Sequence, residues 1–272
     1  VGEILVEIVA TTAGEGFLEA QPLTGPFPSG APAIFADQCG RLGGTVAMIG
    51  AVGDDDFGRI NLDRLRRDGV DVTGIAIDPA VPTGSAFVRY RPDGSRDFVY
   101  NIATSAAARF GWDAATEAVA NRCAHLHVMG SALSMPGAWA VIEPAGRVIR
   151  ARGGSVSLDP NLRKELVHDR RTADRFRQLV ASCDLLLPSG EELEHAAGLD
   201  GVRGTGAASE RGDAQRTTAA IERLFELGVG EIALKRLITR LRLVEPQVAF
   251  QFADAVRQDV IVFKRPVPGF RL

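Results

Sequence analysis

Lysine is nearly missing from this chain: Lys164, Lys235 and Lys264 are all there is among 31 basic residues, and the rest is arginine. A Walker A loop needs Gly-Lys, and these lysines follow Arg163, Leu234 and Phe263, so a P-loop NTPase is disfavoured. Cysteine is just as sparse. Cys39, Cys123 and Cys183 lie far apart and in odd number, which fits neither a disulfide framework nor a zinc site and points to a reducing, cytoplasmic setting. No apolar run approaches the roughly 18–20 residues that span a bilayer, and no signal segment opens the chain, so no membrane partner is expected. With a net charge of -3 and no dense basic patch, nucleic acid is not expected as a partner either. Gly14-Glu15-Gly16 continues without a third glycine, which disfavours a simple dinucleotide fold. There is no Gly-x-Ser-x-Gly elbow for an α/β-hydrolase.

What is present is an ordinary globular composition, 272 residues with 46% hydrophobic and 24% charged side chains, enough for a sizeable core. Ile4–Ala10 reads as a buried strand carrying Glu7, and Val1 already reads as mid-strand, so residues before it are expected. Residues 22–32 read as a Pro/Gly/Ser loop leading into a helix that begins near Pro32 and stops at Gly43-Gly44. A strand over Thr45–Val52 is followed by a helix entered through Asp54-Asp55-Asp56 and closed by Gly69. The pattern then changes. Residues 86–100 form two strands around a Pro92-Asp93-Gly94-Ser95 turn, a hairpin predicted to be a small lid. Strand–helix alternation resumes with a helix near Trp112–Asn121, strand His125–Val128 and helix Ala138–Arg152. Strand Ser155–Asp159, a helix from about Thr172, strand Leu185–Leu187 and a short helix after Gly190 continue it. Gly198–Gln215 reads as a mobile Gly/Ala/Arg-rich loop before helix Thr217–Leu227 and strand Glu231–Leu234. Such alternation predicts an α/β fold, a mostly parallel sheet with helices on both faces, with ligands at the carboxyl ends of its strands.

Chemistry concentrates at those strand ends. Asp159-Pro160-Asn161-Leu162-Arg163 offers an acid, an amide and a guanidinium at alternate positions, able to orient a phosphoryl group; a polar helix cap explains the same residues. Ser189-Gly190-Glu191-Glu192 is either a capping box or a carboxylate that reaches magnesium through water. Glu7 could take two sugar hydroxyls or pair with an arginine; both readings stay open. The aspartate run at 54–56 reads as helix N-terminal charge, and His125-x-His127 as structural. Tyr90 and Tyr100, the two tyrosines, both fall in the lid, where Tyr100 is favoured as a platform over a ligand.

Taken in order, Ser29-Gly30-Ala31-Pro32-Ala33, the stretch Gly50 to Gly58, the lid, Asp159-Pro160-Asn161-Leu162-Arg163 and Pro188-Ser189-Gly190-Glu191-Glu192 resemble the PfkB (ribokinase-like) sugar kinases. The resemblance covers Val1 to about Arg236 and is strongest to the fructokinase, tagatose kinase and 2-keto-3-deoxygluconate kinase branch. It implies one ribokinase-like domain over 1–236 with the lid hairpin inserted at about 84–102. It implies a sugar site at Glu7, Gly30, Ala31 and Tyr100, and Asn161 and Arg163 as catalytic residues facing phosphates. Ser189 and Glu192 would stand on the nucleotide–magnesium side, Glu192 toward the metal, with Lys235 at the start of the ATP loop. ATP and Mg2+ are the implied cofactors, a small sugar the implied substrate, and a homodimer through the lid the implied assembly.

Three departures shape the expectation. Ile34 stands where the family has an asparagine, Ser189 replaces the asparagine of its Asn-x-x-Glu motif, and Tyr100-Asn101-Ile102 lacks the arginine that pairs with a sugar acid. A neutral ketohexose, tagatose or fructose, therefore fits better than 2-keto-3-deoxygluconate; a nucleoside is the within-family alternative. After Arg236 the resemblance ends. No Gly-Ala-Gly-Asp follows, although that motif would supply the family's anion hole and catalytic base, and Gly269 is the single glycine of residues 237–272. Pro266 to Phe270 does resemble the segment leading into that motif. Residues 237–272 are thus expected to be a divergent, frame-shifted or otherwise altered tail of a truncated kinase, with weak sugar binding and little or no phosphoryl transfer. The rival from another class is a non-catalytic sugar-binding or regulatory remnant.

Overall fold

The computed structural model describes residues 1–161, 170–199, 210–235 and 260–264. They fall into two compact units. The first comprises Val1–Ala124 and Ser131–Gly153, the second His125–Gly130 and the chain from Gly154.

In the first unit β1 (Leu5–Ala10) lies between β2 (Leu23–Ser29) and β5 (Gly84–Tyr90), and β6 (Arg96–Asn101) completes a four-stranded sheet in the order β2-β1-β5-β6. The hairpin expected from the sequence is β5 and β6. It joins β1 in parallel through β5, so the lid strands share a sheet with the strand that carries Glu7. The segment read as a Pro/Gly/Ser loop is in fact largely strand β2. Its prolines are tolerated because β2 is an edge strand, paired to β1 alone, where a missing N–H need not break a ladder.

A second pair, β3 (Val46–Gly53) and β4 (Val70–Asp78), runs parallel. Strand β4 escapes sequence reading for a local reason. Its apolar positions are Val70 and Val72 before Gly74, then Ile75 and Ile77 after it, so the alternation changes phase. The register slips at the same place, between Ala47 and Ile49 on β3, as a bulge does. Helices α1 (Ala31–Arg41) and α2 (Asp56–Arg67) cover this region through Ile4, Ala33, Ala36, Met48, Val52, Leu62, Leu65 and Val70. Asp37 of α1 is buried there against Arg64 of α2, 2.7 Å away. Helices α3 (Ala114–Arg122) and α4 (Ala138–Ala151) complete the unit.

The second unit is a five-stranded sheet, β7 (His125–Met129), β8 (Ser155–Asp159), β9 (Leu185–Leu186), β10 (Glu231–Lys235) and β11 (Val260–Lys264), in the order β11-β10-β9-β8-β7. β7 to β10 are parallel and β11 is antiparallel at one edge. Helices α5 (Arg170–Ser182), α6 (Gly190–Ala196) and α7 (Glu210–Leu227) accompany it. α7 starts inside the stretch read as a mobile loop; residues 200–209 lie outside the described residues. β11 is the described part of the stretch read as a divergent tail. No described helix is long and apolar enough to cross a membrane.

Candidate functional site

Strand register brings the first unit's candidate residues together. Glu7 on β1 pairs with Ala86 on β5, and Ala86 pairs with Tyr100 on β6. Residues opposite one another in neighbouring strands share a face, so Glu7 and Tyr100 project from one face with the small Ala86 between them, two strand spacings or roughly 10 Å apart. The Tyr100 ring stacks on Phe98, centroids 5.2 Å apart and planes within 5°. Among the described residues Glu7 makes no ion pair, so the arginine-paired reading of this acid fails. The opposite face is held by Arg89, which donates to the Thr12, Glu15 and Gly16 carbonyls and to Glu19. Tyr90 lies at the exposed end of β5.

Gly30 and Ala31 stand where β2 turns into α1. Gly30 has φ 103°, and a Cβ there would approach the Glu3 carbonyl oxygen to 2.5 Å, so the turn requires glycine. Leu5 pairs with Ser29, which puts this turn beside the start of β1.

The second unit gathers its polar residues at the carboxyl ends of β8 and β10. The chain bends at Asp159-Pro160-Asn161, and Asn161 takes the left-handed φ of 36°, uncommon for a residue with a side chain. Its N–H donates to Asp159 Oδ1 at 3.1 Å. Pro160 packs so tightly on Gly130 that a Cβ at Gly130 would lie 1.9 Å from the Pro160 carbonyl oxygen. Lys235 Nζ donates to Asp159 Oδ1 at 2.6 Å and stands 3.7 Å from Glu192 Oε2. Burial pushes the Asp159 carboxyl up, while the Lys235 ammonium and the Asn161 N–H oppose that shift. Glu192 accepts the Ser189 N–H at 2.7 Å, so the capping contact read from the sequence is made. The structure thus brings Asn161, Ser189, Glu192 and Lys235 together around Asp159. Arg163 lies outside the described residues.

The remaining sequence candidates are structural. Asp55 caps α2 through Gly58 N and also accepts from the Thr83 N–H and hydroxyl. His125 and His127 bond Ser155 and Ser157, and burial lowers the His127 pKa to about 3. Among the described residues no three His, Cys, Asp or Glu side chains converge as a metal site.

A family profile described as "pfkB family carbohydrate kinase" matches residues 1–233. The chain belongs to this family. Fructokinase-1 of Zea mays is 35% identical over 202 residues, 74% of this chain and 62% of that protein. A ribokinase II of E. coli, solved in complex with ATP and Mg2+, superposes with a TM-score of 0.73 at 37% identity, over 86% of this chain and 70% of that one. Fructokinase of Xylella fastidiosa gives a TM-score of 0.68 at 25% identity, over 86% and 68%. The chain spans about 62% of the length of the plant fructokinases it matches first.

Within this pfkB chain, Asp159 was the side chain that motif reading undervalued. Asp159 was legible as an acid at a strand end, but its ion pair with Lys235 joins positions 76 residues apart.

Proposed function

We propose that this chain carries the sugar- and nucleotide-binding residues of an ATP-dependent sugar kinase whose acceptor is a neutral ketohexose, fructose or tagatose. The observation that carries the reading is the line Glu7, Ala86, Tyr100 across one sheet face, with Glu7 free of any ion pair among the described residues. An ionised carboxylate accepts two hydroxyls at once, and the Phe98–Tyr100 stack offers a flat apolar surface to the C–H side of a sugar. The arginine on that face, Arg96, is four residues from Tyr100 and lies over the Phe98 ring at 5.5 Å, which supports a neutral ligand over a sugar acid. The plant relatives named fructokinase agree with that substrate class.

Asn161 and Arg163 would meet the nucleotide phosphates, and Ser189 and Lys235 the nucleotide side. The described residues offer no all-protein metal cage, and Glu192 is one partly buried carboxylate. That donor set fits magnesium brought in by phosphates and touched by one carboxylate, which is how this ion is usually held. When bound, the ion neutralises charge on the phosphates. Pairing of two chains through the lid sheet belongs to the same reading, and light scattering would detect it.

The test is calorimetric titration of the 272-residue chain with fructose, tagatose, 2-keto-3-deoxygluconate and adenosine, together with ADP release from ATP and Mg2+. The ketohexoses are expected to bind at least about tenfold more tightly than the other two. Tighter binding of the sugar acid or of adenosine would replace the substrate class. Fructose binding with no ADP release would make this chain a sugar-binding protein without transfer.

A further inference from the structure

Lys235 is one of three lysines among 31 basic residues. It ends β10, and its Nζ lies 2.6 Å from Asp159 Oδ1 and 3.7 Å from Glu192 Oε2. One ammonium thus faces two carboxylates, which come from β8 and α6. Those two side chains are each 16% exposed and Lys235 is 37% exposed, so a ligand arriving from solvent meets the ammonium first. The same two oxygens are also tied to the backbone. Asp159 Oδ1 accepts the Asn161 N–H at 3.1 Å, and Glu192 Oε2 accepts the Ser189 N–H at 2.7 Å. The carboxylates are therefore fixed, while the ammonium rides on a flexible four-carbon stem. Two carboxylates within reach of one cation are what a divalent ion seeks. Here an ammonium already stands at them, and a doubly charged ion would have to approach it closely against Coulomb repulsion. An ion that arrives with phosphates meets no such barrier, because the phosphates give the ammonium a new anionic partner. Lysine suits that exchange better than the arginine this chain otherwise prefers: a point charge swings from carboxylate to phosphate, whereas a guanidinium fork grips a carboxylate at two points.

We propose that Lys235 is a resident cation that keeps free divalent ions off the Asp159–Glu192 pair, so that this site accepts a metal only together with nucleotide phosphates. The lysine thereby determines specificity for metal–nucleotide over metal alone. The inference rests on the reading that places Ser189, Glu192 and Lys235 on the nucleotide side. A lysine that served stability alone would leave the affinity for free metal unchanged when it is removed.

Manganese, which takes the same oxygen ligands as magnesium, is the probe, and electron paramagnetic resonance counts the bound ion without turnover. Free Mn2+ and Mn2+–ADP are titrated separately into the wild-type chain, Lys235→Met, Lys235→Arg, Glu192→Gln and the double variant Lys235→Met/Glu192→Gln, with folding followed by circular dichroism. The wild-type chain is expected to take Mn2+–ADP at least about tenfold more tightly than free Mn2+. Lys235→Met should gain one free Mn2+ bound at least about tenfold more tightly than in wild type, and the double variant should lose it. Lys235→Arg keeps the charge and should exclude free Mn2+ as wild type does. A folded Lys235→Met that gains no ion, or whose ion survives Glu192→Gln, overturns the proposal; so does a Lys235→Arg that gains one. If Lys235→Met does not fold, the wild-type chain decides. Free Mn2+ bound there as tightly as Mn2+–ADP, at a site that Glu192→Gln removes, overturns the proposal and leaves the nucleotide reading in place. A wild-type chain that binds no Mn2+–ADP overturns the nucleotide reading and this proposal together.

Discussion

In the first unit Glu7 and Tyr100 reach one face through strand register, and no ion pair among the described residues holds Glu7. In the second, Asp159 of β8, Lys235 of β10 and Glu192 of α6 come from three elements and are tied together by charge. The contrast follows from the ligands these halves are proposed to take. A neutral sugar is best met by an acceptor whose oxygens are not already committed to a cation. A nucleotide is a polyanion, and two carboxylates facing it would repel it; an ammonium between them offsets their charge. Carboxylates recur in both halves, then, but their neighbours differ in kind.

The largest effect should come from the first unit's own buried charge pair. Arg64→Met leaves Asp37 enclosed without its cation and should cost about 3–5 kcal/mol in urea unfolding. Burial already raises the Asp37 pKa, against the pull of Arg64. A raised carboxyl stays protonated in the fold at pH values where the unfolded chain is ionised. Stability is therefore fullest below the unfolded pKa, near 4, and falls as pH rises toward the folded value. The penalty in Arg64→Met should accordingly be greater at pH 7 than at pH 4; the opposite slope would mean that Asp37 is not held by that cation.

Lys235→Met tests the second unit. Loss of the ammonium should cost about 2 kcal/mol and weaken ATP binding more than about tenfold, with fructose affinity unchanged by calorimetry. A fall in fructose affinity instead would break the separation of roles between the halves. Glu7→Gln is the mirror experiment. Fructose affinity should drop about tenfold, while ATP affinity and melting stay near wild type.

The smallest effect concerns a carboxylate that belongs to neither site. Asp55→Ala should destabilise by about 1 kcal/mol through the lost cap of α2. Although burial alone would raise the Asp55 pKa, the Thr83 N–H and hydroxyl and the Gly58 and Phe57 N–H groups bring it below the usual carboxylate range. Its contribution is thus full above the unfolded pKa and is lost as pH falls through the folded value. The gap between wild type and variant, followed by unfolding curves from pH 7 to pH 2, should narrow at the acid end.

How much was readable beforehand depended on how local each cause is. Strand Ser155–Asp159 and the Ser189–Glu192 cap could be read directly because their signals, apolar alternation and a three-residue capping interval, lie within a few positions. Strand β2 was hidden, since edge position is a property of the sheet and prolines argue against strand until the edge is known. Strand β4 was hidden by a bulge that changes the phase of its alternation at Gly74. By itself the sequence determined the family, the order of elements apart from β2 and β4, and the identity of the polar groups, because these are carried by short motifs and by hydrophobic period. Tertiary structure alone decided that Glu7 shares a face with Tyr100, that Lys235 neutralises Asp159, and that the Glu3 backbone carbonyl closes against Gly30. Each of those pairs residues far apart in the chain, and such contacts are selected by register and burial, which no local stretch of sequence contains.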